Sequence, residues 1–262
     1  TVRCSRRSLS SPEADLVFDS TAGLIPTSRD LDGITHVLPT IPPTTEGHDP
    51  VLTHLGSQLK ERSLTWVGYL STTGVYGDQQ GRWVSEDDPA NPGQPRSQRR
   101  HACEQAWLDS GLPVQILRLP GIYGPGRSVL DSLRTGTARR ILKADQVFCR
   151  IHVDDIAGAC LHLMHQAAAG PGPAIVNVSD DRPAAPQDLL QYGAALLNCK
   201  LPDEEPFELA SHSMSAMARS FWSENRRVRN TLLCQQLGYA LLHPDFKAGL
   251  QDCLRRESQS CS

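Results

Sequence analysis

An α/β fold built on a doubly wound parallel sheet, with a small lobe at the C-terminal end, is predicted by three features of this 262-residue chain. Apolar runs of strand length recur along it, Gly, Pro or polar turn residues bound each run, and helical patterns lie between them. Strands covered on both faces read as continuous apolar runs rather than alternating ones. With 39% hydrophobic and 21% charged residues the chain can bury a sizeable core.

In order, Val2-Arg3-Cys4-Ser5-Arg6 reads as a strand end entering a basic loop. The runs Ile34 to Ile41, Thr65 to Leu70, Val114 to Leu119 and Ala174 to Val178 are the expected buried strands. Asp49 and Pro50 offer an N-cap and N1 proline for a helix to about Arg62, and Ser97 to Ser110 forms another. From Asp154 the apolar positions Ile156, Ala159, Cys160, Leu163, Met164 and Ala167 share one helical face, with Asp154 or Asp155 as the cap. A helix from Pro186 buries Leu189, Leu190, Ala194 and Leu197. Leu201 to Asn225 lacks periodicity and is expected to be irregular, before a last helix to about Arg256. No repeat or linker divides the chain, so residues 1–180 and 181–262 are expected to form two parts of one folding unit.

The formal charge of −3 offers no large positive field for nucleic acid or an anionic membrane, and small molecules are the expected ligands. No apolar run reaches the roughly 18 residues of a membrane span. Eight cysteines lie scattered without a C-x-x-C pair, which predicts reduced, mostly buried thiols and a cytoplasmic location. His162 and His165 stand three apart on one helix without a ligand partner at zinc spacing, so no metal site is expected.

Four local sequences carry a resemblance. They are Ser71-Thr72-Thr73-Gly74-Val75-Tyr76-Gly77, the helix Ser97 to Ser110 with Glu104, Leu117 to Arg127 (LRLPGIYGPGR), and Arg150 to Ala157 (RIHVDDIA). Their order and spacing resemble the extended short-chain dehydrogenase/reductases, the NAD-dependent epimerases and dehydratases of nucleotide sugars. Ser223 to Val228 and Gln236 to Tyr239 look like that family's closing segment.

The resemblance implies a Rossmann-like sheet and NADP or NAD as cofactor. It makes Thr72 the hydroxyl that hydrogen-bonds the reacting substrate oxygen, with Ser71 beside the cofactor. It puts Leu119, Pro120, Gly121 and Ile122 beside the nicotinamide and lets Arg127 reach substrate phosphate. Asp19 falls near the adenine, Ile41 and Pro42 near the ribose, and Arg6 where a 2′-phosphate would favour NADP. A homodimer through two helices, common in that family, stays open.

Two departures follow. Counting back from Glu104, the family's Y-x-x-x-K tyrosine and lysine positions hold Arg96 and Arg100. Arg100 can bind ribose or phosphate but cannot relay a proton. Tyr76 and Tyr123 are then the available phenols, or else packing residues. The other departure is that no G-x-x-G-x-x-G occurs in the 262 residues, so the chain is expected to begin downstream of its natural start. Activity without the Tyr/Lys pair and a catalytically weak dinucleotide-binding sensor or scaffold are the two functional expectations.

Overall fold

The fold is described by a computed structural model that covers residues 5–6 and 15–260, with side chains for residues 15–259. β1 (Ser5–Arg6) and β2 (Leu16–Val17) pair in parallel, Ser5 opposite Leu16 and Arg6 opposite Val17. β3 (His36–Val37) is shorter than the Ile34 to Ile41 run predicts. Pro39 has no N–H to give a ladder, so the run leaves the sheet early. The Asp49 side chain accepts from Leu52 N at 2.9 Å and caps α1 (Pro50–Lys60), as predicted.

β4 (Trp66–Thr72) is the longest strand, and β5 (Trp83–Val84) follows it at some distance. Along β4, Trp66 packs with Leu117, Ile156 and Leu163 on one face of the sheet. Val67 and Tyr69 pack with Leu55, Leu59 and Trp107 on the other. This alternation is the period of two of a strand covered on both sides. The indole of Trp66 folds back over Gly68, where any Cβ would collide with it.

α2 (Pro95–Leu108) starts on Pro95, and β6 (Val114–Leu119) has the predicted bounds. Next come β7 (Gly121–Tyr123), α3 (Val129–Arg134), β8 (Arg140–Leu142), β9 (Arg150–His152) and α4 (Val153–Ala167). β10 (Ile175–Asn177) completes a parallel four-stranded sheet of order β10-β6-β4-β3, with α1 and α2 on one face and α4 on the other. Among the described residues nothing pairs with the outer edge of β3, and β1-β2 forms a separate sheet.

α5 (Pro186–Leu197) ends on Asn198 in the left-handed region at φ 48°. Residues 201–225 differ from expectation. They hold β11 (Glu204–Pro206), α6 (Phe207–Ser213) and α7 (Ala216–Trp222). β11 pairs with β8, and β12 (Arg227–Val228) with β5. α8 (Phe246–Ser260) closes the chain.

The start of α4 corrects a second expectation. His152 is the N-cap, its Nδ1 accepting from Asp154 N at 3.3 Å, so neither aspartate caps the helix. Asp155 is fully buried and accepts from Tyr239 Oη at 3.2 Å, Leu242 N at 2.7 Å and His243 N at 3.0 Å. Asp154 pairs with Arg256 of α8. The His152 and His243 rings lie 3.9 Å apart between centroids, tilted by 37°. No helix among the described residues is long and apolar enough to cross a membrane.

Candidate functional site

A cavity of about 420 Å³ opens at the C-terminal ends of β4 and β6, where open α/β sheets bind ligands. Its walls are Thr72, Thr73, residues 120–123, residues 147–150, and Ala218, Phe221, Trp222, Glu224 and Arg226 from the C-terminal lobe. Three local devices shape it. Thr72 Oγ1 accepts from Gly74 N at 3.1 Å and turns the chain out of β4. A Cβ on Gly74 would lie 2.6 Å from Ser97 Oγ, so only glycine lets this turn approach α2 so closely. β7 pairs with β9, which sets Gly121 opposite Arg150 and Tyr123 opposite His152.

Aromatic rings form the far wall. Phe148 meets Trp222 edge-on at 5.4 Å, Phe207 stacks behind Trp222 at 5.5 Å, and the Arg96 guanidinium lies 3.7 Å over Phe221. The charged groups are unequal. Arg226 Nη1 donates to Gly77 O at 2.8 Å and to Glu224 Oε2 at 2.7 Å. Arg150 Nη1 donates to the carbonyls of Phe148 at 2.9 Å and Ala184 at 3.1 Å, and burial pulls its pKa below the usual arginine value. Burial pushes the Cys149 thiol up to about 11 and the Asp180 carboxyl up to about 8, so both are largely neutral near pH 7.

The pattern of the NAD dependent epimerase/dehydratase family matches residues 51–179, the stretch that carries Thr72, residues 120–123 and Arg150. A solved structure described as a functionally unknown conserved protein from Silicibacter pomeroyi DSS is 41% identical. It covers 96% of this chain and 89% of its own, with a TM-score of 0.86. Residues 51–179 thus carry the domain of the NAD-dependent epimerase/dehydratase family. The human epimerase family protein SDR39U1 (isoform2), solved with NADPH, shares the fold at 17% identity, with a TM-score of 0.74 over 97% of this chain and 90% of that one. Protein YeeZ of Escherichia coli (strain K12) is 28% identical over 179 residues, 68% of this chain and 58% of that protein. The match thus spans less than two thirds of that curated relative.

Against the family pattern, Thr72, Pro120, Gly121, Ile122 and Tyr123 meet in one cavity. The other expected positions lie elsewhere. Tyr76 does not line the cavity; it is fully buried, its hydroxyl donates to Asn177 Oδ1 at 2.8 Å, and burial raises its pKa. The Tyr123 ring lines the wall, but its hydroxyl turns to Asp245 O at 3.4 Å beside α8. Ser71 Oγ donates to Glu104 Oε1 at 2.5 Å, inside a buried network where Arg118 Nη2 donates to Glu104 Oε2 at 2.8 Å. Leu119 is a core residue.

Arg100 Nη1 donates to Tyr69 Oη and Leu70 O, both at 3.1 Å, and so lies against β4. Arg127 is exposed in the Gly124–Arg127 turn and lies outside the cavity's lining. Asp19 Oδ1 accepts from Thr21 N and Oγ1 within its own turn, Ile41 packs toward the core, and Pro42 is exposed. Arg6 lies in β1, and its side chain is outside the described residues. The sequence reading missed Arg150, Glu224, Arg226, Phe221 and Trp222. Arg150 carried a signal, two residues ahead of His152 in a quoted motif, and Glu224 and Arg226 lay in the quoted Ser223 to Val228 segment, whereas Phe221 and Trp222 carried none.

Proposed function

We propose that this cavity receives the nicotinamide end of NADP or NAD together with a small hydroxyl- or carbonyl-bearing substrate, a sugar nucleotide among them, for oxidoreductase or epimerase/dehydratase chemistry. The reading is supported chiefly by the convergence of the Thr72 hydroxyl with the Pro120–Ile122 stretch on one cavity at the sheet's C-terminal edge. Those residues fit the nicotinamide end, where backbone can approach the ring because Gly121 has no side chain. The pyrophosphate end has no fit here, since the 262 residues hold no G-x-x-G-x-x-G. A bound nicotinamide supplies hydride transfer. Thr72 accepts from Gly74 N, which leaves its own proton to donate to a substrate oxygen as negative charge develops there. Arg6 favours NADP.

A second reading, binding without turnover, is favoured by one observation. The hydroxyls of Tyr76 and Tyr123 are both engaged away from the cavity, while Arg96 and Arg100 hold the family's tyrosine and lysine positions. Neither guanidinium gives up a proton near neutral pH. The deciding experiment follows nicotinamide absorbance with a panel of nucleotide sugars, on the 262 residues prefixed with a strand, glycine-rich turn and helix and shown by calorimetry to bind NADPH. Turnover that falls at least about tenfold in Thr72→Ala, with NADPH affinity unchanged, supports the enzyme. Binding with no turnover selects the second reading, and turnover indifferent to Thr72→Ala removes the assigned role.

A further inference from the structure

Two cationic side chains line the cavity, and they are balanced differently. Arg226 is matched by Glu224 at 2.7 Å. Arg150 enters no ion pair among the described residues. Its Nη1 is anchored by the carbonyls of Phe148 and Ala184, whereas Nε and Nη2 donate to no group among those residues. The nearest acid behind it, Asp180, is tied through its backbone N–H to Arg150 O at 2.8 Å, and its carboxyl accepts from Arg182 N at 3.3 Å. A guanidinium held rigidly in a buried wall with no ion pair among the described residues, its main charge partner Asp180 kept largely neutral by burial, is costly unless an anion meets it there.

We propose that Arg150 is the anion-recognising residue of this cavity, so that the substrate presents a pair of anionic oxygens, carboxylate or phosphate, to the fork of Nε and Nη2. This rests on reading the cavity as the substrate site and adds the substrate's charge class. The guanidinium fork matches two oxygens at once, and anchoring at Nη1 fixes its orientation before the ligand arrives. The Phe148, Phe221 and Trp222 walls accept a flat or apolar body carrying that anion. Arg127, exposed and off the cavity, has no part in it.

Calorimetric titration of the whole chain without any nicotinamide tests this with three probes: benzoate, phenyl phosphate and the neutral benzamide. At least one of the anions is expected to bind tenfold or more tightly than benzamide, a difference of about 1.4 kcal/mol, and the tighter anion identifies the source of the oxygens. Arg150→Gln should abolish that preference, Arg150→Lys should leave part of it because the charge stays and the fork is lost, and Arg127→Gln should leave it whole. Equal binding of the three probes by the unaltered chain overturns the proposal, as does saturation by no anion at concentrations on the order of 10 mM. A preference that survives Arg150→Gln also overturns it. If Arg150→Gln fails to melt cooperatively, the Arg150→Lys comparison and the unaltered chain decide. No nicotinamide enters the measurement, so failure of cofactor binding or turnover leaves this result standing, and the reverse holds too.

Discussion

β4 and β6 pair residue by residue from Val67 to Thr72 with apolar side chains on both faces, whereas β1 and β2 share two residue pairs. The positions that follow the two regions differ in the same way. Thr72 and Pro120 to Ile122 leave the ends of core strands and converge on a cavity, while Asp19, two residues after β2, satisfies its own turn. Convergence is therefore a product of the ladder: a strand end is fixed by the burial along the whole strand, each large apolar side chain contributing about 1.5–3 kcal/mol. A residue after a two-residue strand has only local hydrogen bonds to place it.

The largest expected effect comes from building up the weaker region. Prefixing the 262 residues with a strand, glycine-rich turn and helix of about 30 residues should supply a cradle for pyrophosphate and a neighbour for the edge of β3. Calorimetry should then move from no saturable NADPH binding at about millimolar concentration to about micromolar binding, a gain of about 4 kcal/mol. Micromolar binding by the 262 residues alone would break the comparison. Next in size, Glu104→Ala in the stronger region strands the buried Arg118 and the Ser71 hydroxyl and should cost about 3 kcal/mol in denaturant unfolding. A loss within the roughly ±0.5 kcal/mol of an ordinary surface change would show that the network does not hold β4 and β6 in register.

A smaller effect is expected at the cavity itself. In the chain so prefixed, Thr72→Ala should lower turnover at least about tenfold, or about 1.4 kcal/mol, with little change in melting temperature. A pH-dependent effect is expected at Asp180. Burial holds its pKa near 8 in the folded chain against about 3.9 unfolded, so the folded state disfavours the carboxylate. Stability from this group is present at low pH, falls as pH rises from about 4 to about 8, and is level above that. Asp180→Asn should therefore raise the melting temperature by a margin that grows from pH 5 to pH 8. A margin independent of pH would mean that the carboxyl titrates normally.

Much of the stronger region was legible in the sequence because its determinants are local. Pro113 and Pro120 bracket the apolar run of β6, and Asp49-Pro50 specifies the start of α1. What escaped depends on partners far along the chain. The Tyr76 and Tyr123 hydroxyls find Asn177 and Asp245, more than 100 residues away. α6 and α7 leave Leu209, Met217 and Phe221 outward, so no apolar stripe announced either helix. Two aspartates ahead of an apolar face read as a cap, yet the cap is His152, and Asp155 serves residues 239–243 instead. Arg150 stood in a recognised motif, but its lack of a counter-charge emerges only when Ala184 and Asp180 are seen beside it.

The His152–His243 ring contact and the donors gathered on Asp155 fasten residues 239–243, just before the last helix, to β9 and the start of α4, and Cys253 against His152 and the Arg256–Asp154 pair fasten the helix itself. Tyr123 leans on the same helix, and a Cβ at Gly249 would collide with its ring. One wall of the cavity is thus held by residues at the opposite end of the chain. In hydrogen-exchange terms β7, β9 and α8 are expected to open as one cooperative unit. Amides near residue 250 and amides near residue 150 should acquire deuterium on a common timescale, and clipping the C-terminal helix should loosen the cavity from more than 100 residues away.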